Sequence, residues 1–304
     1  MASISSSTDL KQQESGLAAG VAAYLLWGFL PILFELVLKR GVEPPTLVAD
    51  RTVWSLLVVG TLLVVGGRTA EVRAVLRDWR AVRAMAVAAL FLAANWLIYV
   101  YAVETNQVLE ASFGYFINPM VNVALGMVLL GERLNRWQTV SIAVALVALA
   151  IQAAGIGGIP FIALSLAMTF ALYGYLRKTI KASSAAGLFV ETLLLVPVAL
   201  GYLAFTFIRD GSIGPHGDPS TLLLLLLTGP ATAVPLLLFA FAVQRLRLTT
   251  MGMLQYIAPS IAFLLAILVF GEHLNATRLA SFGLIWLSLL IYTAESLIRR
   301  HRAA

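Results

Sequence analysis

The sequence predicts an all-α integral membrane protein of ten transmembrane helices, arranged as two inverted five-helix repeats. Three observations predict it. Of 304 residues, 60% are hydrophobic and 12% charged, against about 25% charged in an ordinary soluble chain. The apolar residues fall in runs near the ~20 needed to span a bilayer. Finally, the pattern of residues 101–152 returns at 241–292 at one fixed offset.

The elements follow in order. Residues 1–16 are polar and read as a cytoplasmic tail. The first apolar run, Leu17 to Leu38, lacks the short core and small-residue cleavage site of a secretory signal, so it reads as a retained helix. The ten expected spans are 17–38, 46–66, 84–103, 108–130, 137–155, 159–177, 186–208, 221–244, 248–270 and 277–297. The first repeat is then 17–155 and the second 156–297, with a basic cytoplasmic tail at 298–304. Between spans two and three, "RTAEVRAVLRDWRAVR" at 68–83 sets five arginines against helically spaced apolar residues and predicts a helix lying at the headgroups.

With the N-terminus placed inside, 16 of the 21 Lys and Arg fall in inside segments and four in outside loops, and Arg51 lies within a span. This bias puts both termini in the cytoplasm. It also directs the net charge of +6 toward anionic lipid rather than nucleic acid.

In the repeat, Tyr101-Ala102-Val103 falls on Phe241-Ala242-Val243, and Phe116-Ile117 with Pro119 falls on Tyr256-Ile257 with Pro259. "GERLN" at 131–135 falls on "GEHLN" at 271–275. Five spans is an odd number, so the second repeat enters the membrane from the opposite side. Inverted repeats of this kind surround a central site reached alternately from each face.

The strings "EASFGYFINPMVNVALGMVLLGERL" and "TTMGMLQYIAPSIAFLLAILVFGEHL" resemble the EamA group of the drug/metabolite transporter superfamily. "RTVWS" at 51–55, "NW" at 95–96, "LRK" at 176–178 and "VETLLLVPVA" at 190–199 resemble its RarD branch. The resemblance covers nearly all of the chain after the tail. It implies a permease of the bacterial inner membrane, moving a small solute of amphenicol-like, amino-acid-like or other metabolite type.

Pro119 and Pro259 each lie about 15 Å into their spans, near the midplane. Each breaks a helix ladder, which lipid tolerates only where protein or a wet cavity satisfies the backbone. They are expected to be hinges beside a cavity. Asn118 and Gln255 offer carboxamides there. Asn95 and Tyr99 share a helix face. With Trp27, Trp54, Trp96, Tyr115, Phe116 and Tyr256 they are expected to line a pocket for an apolar or aromatic solute. Membrane charges are expensive, so Arg51, Glu110, Glu191 and Arg247 are candidate gates. Inverted symmetry suggests an outer pair, Arg51–Glu110, and an inner pair, Glu191–Arg247. Snorkelling side chains or static staples are the plainer alternative. Glu132 and Glu272 read as turn and packing residues.

Cysteine is absent, the three histidines fall in loops or the tail, and no "GxxxxGK[ST]" occurs. No cofactor, metal or ATP coupling by this chain is expected, and an enzyme is disfavoured. A receptor or scaffold remains the other class. The partners expected are a small solute, the bilayer and a second copy of the chain.

Overall fold

The computed structural model describes residues 7–105, 107–154, 160–211, 214–268 and 276–303. Among these, α-helices make nearly all of the regular structure: α1 (Ser7–Leu38), α2 (Pro44–Val65), α3 (Thr69–Arg77), α4 (Trp79–Glu104), α5 (Val108–Leu130), α6 (Arg136–Ala153), α7 (Phe161–Thr179), α8 (Ser184–Asp210), α9 (Pro219–Arg245), α10 (Leu248–Gln255), α11 (Ile257–Leu268) and α12 (Ala276–Ala303). Among the described residues, nine stretches are long and apolar enough to cross a membrane. The chain is a multi-pass membrane protein. The expected sixth span is α7, which is not among the nine; its last turn carries Arg177 and Lys178. The "GEHLN" echo with Glu272, and the expected boundary between repeats at 155–156, lie outside the described residues.

Local chemistry sets the boundaries. Asp78 ends the headgroup helix early: its carboxylate accepts from the backbone N–H of Arg80 at 2.9 Å and Ala81 at 3.3 Å. That N-cap starts α4 at Trp79, where the apolar run alone predicts 84. Asn135 opens α6 with a capping box completed by Gln138. The surface is apolar, with Val65 82% and Val128 78% exposed. Such side chains face lipid in a membrane.

The two sequence halves interleave. Helix α1 packs on α9 and α11, α2 on α8 and α9, α4 and α5 on α7, and α6 on α12. Helix α6 runs antiparallel to α12. Asn135 at the start of α6 donates to Glu295 late in α12. Midway, the Ser141 hydroxyl donates to the Ser288 carbonyl, and Ser288 to that of Ser141, each at 2.8 Å. Similarly, the end of α5 meets the start of α10, where Glu132 accepts from the N–H of Leu248 at 2.6 Å and Thr249 at 2.9 Å. Glu132 thus caps α10, as its position after a span suggests.

The two matched prolines behave differently. Pro119 sits inside the uninterrupted α5. Tyr256 separates α10 from α11, its N–H reaching back only to Met253. The expected pair of breaks is therefore one break and one continuous helix. A β-carbon on Gly252 would stand 2.6 Å from the Pro119 carbonyl oxygen, so α10 meets α5 backbone to backbone. Tyr256 turns inward, fully buried, and donates to the Phe116 carbonyl at 3.4 Å.

Candidate functional site

Two ends of the bundle are distinguished by the loops they carry: the α1–α2 loop at one, the α7–α8 loop at the other.

At mid-depth, α5 and α10 share a carboxamide cluster. Asn122 Nδ2 donates to Gln255 Oε1 at 2.9 Å and to Asn118 Oδ1 at 3.3 Å, and all three are buried. The Asn122 Oδ1 atom is buried without a partner. The sequence reading named Asn118 and Gln255 and missed Asn122, which stands one helical turn beyond Asn118 on the same face.

Toward the α1–α2 end, five helices converge on Arg51 of α2. Its guanidinium lies 4.3 Å from the Trp96 ring of α4 and 4.9 Å from the Phe34 ring of α1. Its Nε donates to Thr232 Oγ1 of α9 at 3.1 Å. The phenols of Tyr99 (α4) and Tyr115 (α5) stand within electrostatic reach. Tyr115 itself is 48% exposed. Arg51, expected in a pair with Glu110, thus stands with Trp96, Tyr99 and Tyr115, which were expected in a pocket.

The expected charge pairs are not formed. Glu110 is turned away from Arg51: its Oε1 accepts from the Ile162 N–H at 2.8 Å, capping α7, where a carboxylate meets the positive end of a helix. Glu191 pairs with Arg177, not Arg247. Arg177 Nη1 lies 3.4 Å from Glu191 Oε1, both side chains being 0% exposed. Tyr173 donates to Glu191 Oε2 at 3.2 Å. Arg247 stands 3.7 Å from Glu132 and donates to the Arg133 carbonyl. Arg177 escaped the sequence reading because it ends an apolar run and so resembles a loop charge. Gly187 makes its burial possible: a β-carbon there would stand 2.0 Å from Arg177 Nη1.

The remaining candidates lie elsewhere. Asn95 is engaged across the α4–α7 contact, donating to the Leu166 carbonyl at 2.9 Å and Thr169 Oγ1 at 3.0 Å. Trp27 belongs to a separate ring cluster with Tyr24, Phe170 and Phe239. Trp54 packs on α9 where Gly229 leaves room for it. Phe116 meets Phe282 edge to face, with ring centroids 5.1 Å apart. Pro259 lies three residues past the break, in α11.

The α7–α8 end is closed. Beside Arg177–Glu191, Lys178 donates to the carbonyls of Val243 and Leu246, and Gln244 Nε2 to that of Ala182 at 2.9 Å. Serine 183, the cap of α8, donates to Glu71 of α3.

An apolar exterior around buried polar clusters is the build of a multi-pass membrane protein. The comparisons agree. The profile of the EamA-like transporter family matches residues 14–153. The chain is 37% identical over 298 residues to Protein RarD of Escherichia coli (strain K12), covering 97% of this chain and 99% of that one. It is 40% identical over 294 residues to Protein RarD of Streptomyces exfoliatus, covering 96% and 93%. The Chloramphenicol-sensitive protein RarD of Pseudomonas aeruginosa is 30% identical over 281 residues, covering 91% and 92%. A solved crystal structure superposes with a TM-score of 0.71 over 95% of this chain and 99% of its own, at 21% identity, a likeness of fold alone. The chain belongs to the EamA-like transporter family, in its RarD-type branch.

Proposed function

We propose that this protein is a secondary transporter of the bacterial inner membrane, carrying a small organic solute by alternating access along a path lined by Tyr115. The observation that carries the reading is the contrast between the two ends. At one, Tyr115 near Arg51 is 48% exposed; at the other, Arg177 and Glu191 are sealed from solvent. An alternating carrier needs one end open while the other is shut. In this reading all ten expected spans cross, α7 included, and the halves are inverted. The antiparallel contacts of α5 with α10 and of α6 with α12 support that inversion. The basic residues gathered at the α7–α8 end, with the positive-inside bias, support a cytoplasmic placement for that end and for both termini.

The solute site is formed by Arg51, Trp96, Tyr99 and Tyr115, with Asn118, Asn122 and Gln255 below. Arg177–Glu191 and the Glu132 cap of α10 form the inner closure. The α5–α10 crossing, with Pro119 and the break at Tyr256, is the hinge.

The test uses introduced cysteines, since the natural chain has none. In cells, an impermeant maleimide applied outside labels Tyr115→Cys but not Ala186→Cys. Glu191→Gln loosens the inner closure, so it lowers outside labelling of Tyr115→Cys and opens Ala186→Cys to reagent from inside. Equal labelling of both positions, or no shift with Glu191→Gln, sinks the reading.

A further inference from the structure

We infer that Arg51 is a recognition site for a carboxylate, and that the solute class is a small organic acid carrying a flat apolar group. This rests on the reading of the space at Tyr115 as the solute path.

The inference begins with what holds Arg51. A buried guanidinium normally has a carboxylate partner, because an unpaired buried charge is expensive. Arg177 in this chain obeys that rule. Arg51 is only 8% exposed, yet among the described residues it has no acidic partner. Its sequence neighbour Asp50 is bonded to His216 at 2.9 Å, and Glu110 is held by the Ile162 N–H.

Its bonding then shows which part is left. The planar guanidinium has two faces and an edge of five N–H donors. The Trp96 and Phe34 rings lie 4.3 and 4.9 Å from its carbon, and Nε is taken by Thr232. Cation–π contact offsets part of the lost hydration without neutralising the charge. The terminal nitrogens, Nη1 and Nη2, make no hydrogen bond, and neither is among the partnerless side-chain atoms sealed from water. They therefore open onto accessible space. A paired N–H edge is the fork that binds a carboxylate in bidentate fashion.

The surroundings set the rest of the ligand. The Tyr99 and Tyr115 phenols lie within electrostatic reach of the same charge, and a phenol can donate to a carboxylate oxygen. Tyrosine and tryptophan rings favour a flat apolar body over a hydrated chain or a bare inorganic anion.

The test uses purified wild-type protein in nanodiscs and a panel of isosteric probes: phenylacetate and indole-3-acetate, their carboxamides, 2-phenylethylamine, and inorganic phosphate. Two measurements are made. Phenylglyoxal, which modifies accessible arginines, is mapped at Arg51 by mass spectrometry with and without each probe. Binding of each probe is measured by calorimetry on wild type, Arg51→Gln and Arg51→Lys. The expected result is that Arg51 is modified and that the aryl carboxylates protect it, while the carboxamides, the amine and phosphate do not. Carboxylate affinity falls about 10- to 100-fold in Arg51→Gln, and Arg51→Lys retains part of it. If Arg51→Gln does not fold, the wild-type protection pattern decides alone. An unmodified Arg51, protection by no carboxylate, or equal protection by carboxamides or phosphate overturns the inference.

These outcomes separate from those of the transport reading. Carboxylate binding without alternating cysteine access leaves the anion site standing and removes the carrier. Alternating access without carboxylate selectivity does the reverse.

Discussion

Two buried arginines in this chain are held in opposite ways. Arg177, at the α7–α8 end, is enclosed by Glu191, the Ser184 carbonyl and Met85, with no exposure. Arg51, toward the other end, has two rings and a hydroxyl, and one edge left open. The first charge is answered by the protein itself. The second is answered by protein on its faces and left unanswered at its tip. The difference teaches that depth alone does not reveal what an intramembrane charge is for. Its partners do.

The contrast is sharpest in stability. Glu191→Ala removes one partner of a sealed pair and leaves Arg177 uncompensated. A loss of about 3–5 kcal/mol is expected, read as a lower unfolding midpoint in detergent. Replacing both, Arg177→Met with Glu191→Leu, recovers most of it. A double variant as unstable as the single one breaks the account of this end.

Between the two arginines lies the α5–α10 crossing. Gly252→Ala drives a methyl group toward the Pro119 carbonyl, a backbone atom that does not step aside. Overpacking of this kind costs about 1–3 kcal/mol, and transport falls with it if the crossing is the proposed hinge. A fully active, fully stable Gly252→Ala protein removes the crossing from the mechanism.

A smaller effect is expected one turn away. Asn122→Leu deprives Gln255 of its donor, a loss of about 0.6–1.7 kcal/mol for a polar contact between membrane helices. Its signature is a drop in solute uptake into proteoliposomes exceeding that caused by Asn118→Leu, since Asn122 donates to both other amides.

The smallest effect belongs to the open arginine. Arg51→Met should leave stability within about 1 kcal/mol of the parent, since ring contacts are lost while a burial penalty is relieved. A loss as large as that of Glu191→Ala would make Arg51 a structural staple after all.

Much of this was legible in the sequence, and the exceptions have one cause. Run lengths located α5 to the residue, and the repeat singled out Asn118, Pro119, Gln255 and Tyr256 as cavity and hinge residues, which the structure places at the α5–α10 crossing. What the runs do not carry is rotational phase. Arg51 and Glu110 sit at similar depth, and depth suggested a pair; Glu110 lies on the side of α5 that faces α7. Glu191 and Arg247 were matched by symmetry, yet Glu191 lies beside Tyr173 and Arg177 on α7. The repeat predicted two equivalent breaks as well. A matched proline fixes where a ladder loses a donor. It does not fix whether the helix opens there: α5 runs on through Pro119, while α10 ends at Gln255, ahead of Pro259.

The meeting of Pro119 with Gly252 has a mechanical consequence. Where two rods cross with side chains between them, turning one must strip or reform those side-chain contacts. Here the carbonyl of one helix rests against a residue with no side chain at all. Rods in such contact can rock like a lever on a fulcrum, with large travel at both tips and almost none at the bearing. In the proposed carrier, the walls above and below swing about this point while the point itself stays as it is.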